Sequence, residues 1–167
     1  QSERIQMVYV APGNGGTALD NRLVNVDLTD PSALADFAQA EHIGLTVVGP
    51  EVPMAAGIVN LFRGRGLKIF GPTKEAAQLE SSKDFAKAFM QRHGIPTAAY
   101  QTFTDVAQAH AYIDQQGAPI VIKADGLAAG KGVVVAMTLE EAHAAADVML
   151  TDNAHGVMTN PAGARIV

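Results

Sequence analysis

Three short apolar runs each break on a proline and a glycine, and that recurrence most constrains the fold. Met7–Val10 breaks at Pro12-Gly13, Leu45–Val48 at Gly49-Pro50-Glu51, and Lys68–Phe70 at Gly71-Pro72. Runs this short, rich in β-branched residues and bounded by turn formers, read as strands. A further short strand is expected over Leu23–Val26. Helical patterns lie between them. Asp30-Pro31 supplies a capping acid and a proline suited to the first helical position. That helix is expected to run through Leu34, Phe37 and Ala38 to about His42, closed by Gly44. A second helix from about Pro53 places Ile58, Leu61 and Phe62 on one face and stops at Gly64 to Gly66. Strands alternating with helices through short links predict an α/β protein with a parallel sheet covered on both faces. Ligands of such sheets bind beyond the carboxyl ends of the strands. The loops 11–16, 49–51 and 71–73 are therefore expected on one rim.

Composition narrows the function classes. The chain has 167 residues, room for one domain or two small ones. Apolar residues make up 48% and aromatics only 5%, so Val, Ile, Leu and Ala must fill the core. A net charge of −5 argues against nucleic acid or an anionic membrane as the main partner. No cysteine is present, which excludes a disulfide framework, a thiol nucleophile and a zinc–thiolate site. No run approaches membrane-spanning length and no signal peptide is visible, so a cytoplasmic protein is the default expectation. Gln1 starts without Met, and Val167 stops inside an apparent strand, Arg165-Ile166-Val167. Both ends suggest a piece of a longer protein.

A helical block links the halves. Thr73 is expected to cap a helix to about Glu80, and Ser82 another, with Phe85, Ala88 and Phe89 inward, ending at His93-Gly94. A strand near Ala99–Phe103 and a helix from Thr104 to about Gln116 follow. Thr138-Leu139-Glu140-Glu141 reads as a capping box opening a helix to about Leu150. Asp152 to Ala164 reads as a loose loop. A domain boundary is expected between Glu80 and Thr104.

The segment Pro119–Val135 carries the strongest chemical signal. An apolar strand ends on Lys123, a glycine-rich turn carries Lys131, and an apolar strand leaves. Gly126, Gly130 and Gly132 remove side chains where a backbone approaches a ligand. Freed amides and two ammonium groups suit phosphate oxygens. The same stretch also fits a surface hairpin with solvated lysines. Two details favour a ligand: the turn is longer than a hairpin needs, and Lys123 ends a buried-looking run where an idle charge is expensive. It is not a P-loop. Three residues rather than four separate Gly126 from Gly130, Lys131 is followed by Gly132, and a strand rather than a helix comes next.

Other signals stay open at this level. Gly13-Asn14-Gly15-Gly16-Thr17-Ala18 fits a dinucleotide fingerprint, but Ala18–Val26 lacks helical periodicity and no acidic strand end follows. A phosphate-contacting loop and a plain turn both fit. Glu51 suits a sugar hydroxyl or an amine, and equally a helix N-terminus. Lys83 in a first helical turn is mildly unfavourable unless an anion lies nearby, or it is simply exposed. His42, His93, His110, His143 and His155 show no metal-ligand spacing and read as surface or helix-end residues.

Three segments in order carry a family resemblance. They are Val10–Ala18; Val48–Pro53 leading to Phe70-Gly71-Pro72 and Ala77–Lys83; and Pro119–Val135. Together they closely resemble the glycinamide ribonucleotide synthetases (phosphoribosylamine–glycine ligases) of the ATP-grasp superfamily, over nearly all of Gln1 to Leu150. The resemblance implies a Rossmann-like, pre-ATP-grasp parallel α/β domain over 1–80. It implies a linking helix and strand of the central ATP-grasp domain over 81–103, and an α+β lid subdomain over 104–167, the first and last incomplete. It further implies ATP-dependent ligation of glycine to 5-phosphoribosylamine through a glycyl phosphate, in de novo purine synthesis.

The resemblance also assigns roles by position. Lys83, Lys123, Asp125, Gly126, Gly130, Lys131 and Gly132 match ATP-binding positions. Gly126–Gly132 matches a flap over the triphosphate. Pro12, Gly13, Asn14, Gly49, Pro50 and Glu51 match the face that receives phosphoribosylamine. No nucleophile or base is identified. Magnesium or manganese is implied, with ligands expected outside this chain. Small-molecule substrates, no nucleic acid, no membrane and a monomeric full-length protein complete the expectation. The family's opening strand and Gly-Asn-Gly-Gly-Arg-Glu-His-Ala loop, and its later nucleotide and metal residues, are not in these 167 residues. The chain is therefore expected to be inactive in isolation. Another ATP-grasp ligase or carboxylase, or a non-catalytic nucleotide-binding module, remains as the alternative.

Overall fold

A computed structural model describes residues 3–127, 132–152 and 165–167. The chain divides into two compact units, Gln1–Lys74 and Glu75–Val167. No helix among the described residues is long and apolar enough to cross a membrane.

The first unit alternates strand and helix, as the turn pattern requires. β1 (Val8–Val10) is followed by a single helical turn, α1 (Gly15–Ala18), and by β2 (Leu23–Asn25). β1 and β2 pair in parallel with Tyr9 opposite Val24. α2 (Pro31–Ala40) opens as its sequence dictates: the Asp30 carboxylate accepts the Ala33 N–H at 2.9 Å, and Pro31 takes the first turn. β3 (Thr46–Val47) leads into α3 (Glu51–Ala56) and α4 (Ile58–Gly64), and β4 (Ile69–Phe70) pairs with β3 in parallel.

Three expectations change here. Among the described residues the strands form two separate parallel pairs rather than one sheet. The helix expected from Pro53 is two helices, broken at Gly57, which adopts φ +94°. His42 rather than Gly44 ends α2. It takes φ +50°, while the Ile43 N–H bonds back to the Ala38 carbonyl and the His42 N–H to Gln39. That pair of bonds turns the chain so that Ile43 returns to the core.

The core of this unit is small and aliphatic. Ala35 and Ala38 of α2 meet Ile58, Val59 and Phe62 of α4, with Leu34, Ile43, Val48, Leu61, Leu67 and Ile69 packed around them. The expected apolar face of the second helix is therefore the one buried.

α5 (Lys74–Ser81) starts at the last residue of the first unit and runs into the second, where α6 (Lys83–Arg92) follows. The Ser82 hydroxyl accepts the Phe85 N–H at 3.1 Å and caps α6. Phe85, Ala88 and Phe89 are only half-buried, so α6 is less deeply packed than its sequence suggests. Ala99–Phe103 is not a strand; Phe103 alone bridges to Ile166. α7 (Val106–Gln116) is capped by Asp105, one residue later than expected.

β5 (Ile120–Lys123) and β6 (Val133–Ala136) form the antiparallel hairpin, with Lys123 opposite Val133. The ladder runs one step further through the Ala124 N–H to the Gly132 carbonyl. Lys123 and Val167 exchange both backbone bonds on the other edge of β5. α8 (Leu139–Asp147) passes into a π-helical turn, Val148–Asp152. Thr138 caps α8, but Glu141 reaches back to the Met137 N–H rather than to that of Thr138. The loop expected beyond Asp152 lies outside the described residues up to Arg165.

Small residues let the second core close. Ala109 and Ile113 of α7, Ile122 and Ala124 at β5, Ala136 of β6, and Ala142, Ala145 and Ala146 of α8 are buried together with Met149 and Ile166. His110 and His143 stack across the α7–α8 contact at 4.3 Å between ring centroids. Each Nε2 faces a carboxylate of the opposite helix, His110 to Asp147 at 2.9 Å and His143 to Asp114 at 3.0 Å. The N–H directions miss hydrogen-bond geometry. The two histidines brace the helix pair and are not simply surface groups.

Phe62 fills the centre of the first core, so Phe62→Ala should lower stability by about 3–5 kcal/mol. A urea titration would show it as a lower midpoint; a change under ~1 kcal/mol would mean the site collapses around the cavity.

Candidate nucleotide-phosphate site

In the second unit, the end of β5 meets the start of α6. Asp125 follows the strand and is 4% exposed. Its Oδ1 accepts the backbone N–H groups of Lys83 at 2.6 Å and Asp84 at 3.2 Å. Its Oδ2 accepts the Ser82 hydroxyl at 3.3 Å and lies 3.5 Å from Arg165 Nη1. The same Arg165 nitrogen is 2.9 Å from Asp84 Oδ2, and Asp84 Oδ1 accepts the Thr102 hydroxyl at 2.7 Å. A buried anion is tolerable only when its lone pairs are met by charged or oriented donors. Asp125 has both, including the positive end of a helix.

Lys83, the first residue of α6, is half-buried and donates its Nζ to the Gly126 carbonyl at 2.9 Å. Its pKa is lowered, chiefly because burial disfavours the charged form. Asp125 opposes that shift, Lys123 adds to it, and Glu80 opposes it. Lys83 and Lys123 thus bring two ammonium-bearing side chains to the base of the glycine turn. Gly126 turns the chain there at φ +107°, a conformation that a Cβ would strain.

Lys123 has no ion-pair or hydrogen-bond partner for its ammonium group among the described residues. Strand alternation puts Lys123 on the same face of the hairpin as Val121 and as Val133, the residue opposite Lys123, while Ile122 and Ala124 enter the core. Val121, Val133 and Val135 are exposed on that face. Lys123 therefore stands beside an open apolar strip. Gly132 is buried at the far side of the turn. Gly130 and Lys131 lie outside the described residues.

The first unit carries the other expected positions. Asn14 Oδ1 accepts the Gly16 and Thr17 N–H groups at 2.8 and 3.0 Å, and Thr17 Oγ1 accepts the Asn14 N–H at 2.8 Å. Thr17 also hydrogen-bonds Asn25 at 2.7 Å, and Asn25 Nδ2 donates to the Asn14 carbonyl. A Cβ on Gly13 would run into the Asn25 carboxamide. The loop is thus closed on itself, with Pro12 exposed. A dinucleotide loop would offer free amides at its helix; here Asn14 occupies them. Gly49 and Pro50 are exposed, and Glu51 is exposed in the first turn of α3, the place that the helix dipole favours for an acid.

Sequence reasoning singled out Lys83, Lys123, Asp125 and Gly126, and the structure gathers these four around one turn. It missed Ser82, Asp84, Thr102 and Arg165 as their partners. Ser82 was expected as a cap, and Asp84 is an acid in the first turn of α6, but nothing local ties either to Asp125. Among the described residues no group of three or more His, Cys, Asp or Glu is placed to hold a metal ion.

Comparison with known proteins identifies the family. The model of the phosphoribosylglycinamide synthetase N domain matches residues 1–80, and that of the same synthetase's ATP-grasp (A) domain matches 81–167. A phosphoribosylamine–glycine ligase from Ralstonia nicotianae is 72% identical over 167 residues, which span all of this chain and 39% of that protein. The crystal structure of a phosphoribosylamine–glycine ligase from Thermotoga maritima superposes with TM-score 0.70 at 27% identity, covering 96% of this chain and 36% of that one. A biotin carboxylase from Campylobacter jejuni shares the fold at TM-score 0.68 and 21% identity, over 82% of this chain and 31% of its own. With both family models matching end to end, this chain belongs to the phosphoribosylglycinamide synthetase family.

Proposed function

We propose that the chain forms part of an ATP-dependent ligase that joins glycine to 5-phosphoribosylamine. The observation that carries this reading is the pair Lys83 and Lys123: two neighbouring ammonium groups at a glycine turn, one half-buried and held by a carbonyl, the other without a protein partner among the described residues. Such a pair is self-repelling and is relieved by a polyphosphate between or beside its members.

In the reaction, a glycine carboxylate oxygen attacks the γ-phosphorus of ATP, releasing ADP and forming glycyl phosphate. The ribosylamine nitrogen then attacks the acyl carbon and phosphate leaves, giving glycinamide ribonucleotide. The protein's task is positioning and charge stabilisation. Lys83 and Lys123 would hold the phosphates, with the Gly126 and Gly132 backbone close by. The apolar strip Val121, Val133 and Val135 would take the less polar part of the nucleotide. In the first unit, Pro12–Asn14 and Gly49–Glu51 would receive phosphoribosylamine. Magnesium or manganese would come with the nucleotide; the described residues contain no carboxylate cluster fitted to it, and Asp125 is already engaged. Residues 81–103 would link the two regions and 104–167 would form the lid subdomain. The full-length protein would act on small molecules in the cytoplasm as a monomer. Glycine is preferred to bicarbonate as substrate because identity to the glycine ligase far exceeds identity to the carboxylase.

Two measurements on a ligase of the relatives' full length carrying this sequence test the reading. Lys123→Met should lower kcat/KM for MgATP by about 10²–10³-fold, as loss of one preorganised charge does. Its unfolding free energy from urea titration should stay within about 0.5 kcal/mol of the parent's, since the ammonium group has no protein partner among the described residues. Unchanged kcat/KM would remove Lys123 from the phosphate site.

The second concerns pH. Lys83 folds with its pKa below 10.5, so the unfolded chain binds more protons between the two values. Its contribution is unfavourable below the folded pKa and disappears as pH rises toward 10.5. A bound polyphosphate restores the ammonium, so MgATP binding at alkaline pH should take up protons. Calorimetry in buffers of different ionisation heat would detect this, and Lys83→Met should abolish it. Equal uptake in the variant would mean another group is responsible.

A further inference from the structure

We propose that Asp125 is a positioning residue for nucleotide phosphate rather than a nucleotide ligand, holding the start of α6 against the base of the glycine turn so that Lys83 points into the site. This rests on the ligase reading above and deepens it. Both carboxylate oxygens already have protein partners. Oδ1 takes two amides of α6 and Oδ2 takes Ser82 and Arg165. At 4% exposure the group has little surface left for a ligand.

What it fixes is specific. Residue 125 directly precedes Gly126, whose carbonyl receives the Lys83 ammonium. The Lys83 side chain is therefore tied at both ends to consecutive residues of one strand end: its backbone N–H to Asp125 and its Nζ to Gly126. A shift of α6 along this contact would move the ammonium group away from the turn. Arg165 steadies the arrangement by bridging Asp84 and Asp125, and Thr102 holds the other Asp84 oxygen. Misplacement of about 1 Å at such a point is enough to lower the rate roughly a hundredfold.

The experiment compares Asp125→Asn and Asp125→Glu in a ligase of the relatives' full length carrying this sequence. Asn keeps the shape and the amide acceptor but removes the charge. Glu keeps the charge but displaces the carboxylate by one methylene. Both should raise KM for MgATP roughly tenfold or lower kcat as much, with KM for glycine within about twofold. In parallel, competitive acetylation of lysines across pH, read residue by residue by mass spectrometry, follows Lys83 without any nucleotide. Its profile should move to lower pH in Asp125→Asn, which loses the charge, and should also depart from the parent's in Asp125→Glu, which displaces the ammonium group from its half-buried place. Should the Asp125 variants fold poorly, Ser82→Ala removes one Oδ2 partner while keeping the carboxylate charged, and should raise KM for MgATP in the same way at smaller size.

Full recovery of MgATP kinetics in Asp125→Glu would overturn the proposal, because charge alone would then suffice. An unmoved Lys83 profile in Asp125→Asn would also overturn it, even with altered kinetics, since Asp125 would then act on the nucleotide directly. A parent protein with no MgATP-dependent ligation would sink the function proposed above, and with it the nucleotide role of Asp125. Lys83 labelling and amide exchange at Lys83 and Asp84 would still decide whether Asp125 places the lysine.

Discussion

A single buried carboxylate organises the second unit. Asp125 sits where β5 ends, and its partners come from residues 82–84 and 165. Removing an anion from water costs several kcal/mol unless donors replace the solvent. Those donors are positioned only when α6, β5 and the 165–167 segment are all in place. The carboxylate therefore couples three stretches remote in sequence, and its satisfaction requires the same arrangement that brings Lys83 to Gly126. Loss of one partner leaves an uncompensated charge, which is why such contacts favour a single geometry over a sliding one.

The surrounding fold makes that geometry stiff by modest means. Few aromatics are available, so the hairpin, through Ile122, is backed by alanines of α7 and α8 and by Ile113 and Ile166. Alternation along β5 then does the sorting. Ile122 and Ala124 face the core, while Val121 and Lys123 face away from it. The register with β6 lines Val133 and Val135 along the same outer face. A slip of one residue would bury Lys123 and expose Ile122, so the hydrophobic pattern that builds the core also sets the position of the ammonium group.

Much of this was legible because the signals were local. Asp30-Pro31 and Ser82 cap the helices their sequences announced, and the apolar runs around the glycine turn are the hairpin strands. Lys123 and Gly126 stood out by residue type and place in the turn, Lys83 as a cation in a first helical turn, and Asp125 through the family resemblance alone. What escaped depends on tertiary contact. Gly57 breaks a helix whose apolar face is continuous, because the chain turns there to bring Ile58, Val59 and Phe62 onto α2. His42 displaces Gly44 as the end of α2 because the return of Ile43 to the core sets the turn. Ala99–Phe103 has strand composition, yet only Phe103 pairs, and its partner Ile166 lies far along the chain. The Asp125–Lys83 contact joins two residues that each looked like a ligand contact; the sequence alone does not reveal that they bind each other.

The two glycine-rich loops share a property that separates them from better-known phosphate loops. In the usual design, amides at a helix N-terminus are left open for an anion. Here they are already taken by side chains. Asn14 accepts the amides of Gly16 and Thr17 at α1, and Asp125 accepts those of Lys83 and Asp84 at α6. The positive end of α6 is thus neutralised from within the protein. That explains why a lysine is tolerated in its first turn, where the helix dipole alone would disfavour it. Under the proposed function, a polyphosphate would then be met by lysine side chains rather than by these amides. Ammonium groups on long stems can follow a phosphate as it transfers, which amides locked in a helix cannot. In the ligase reading proposed above, such a site would serve a phosphoryl group that moves from nucleotide to carboxylate and then leaves.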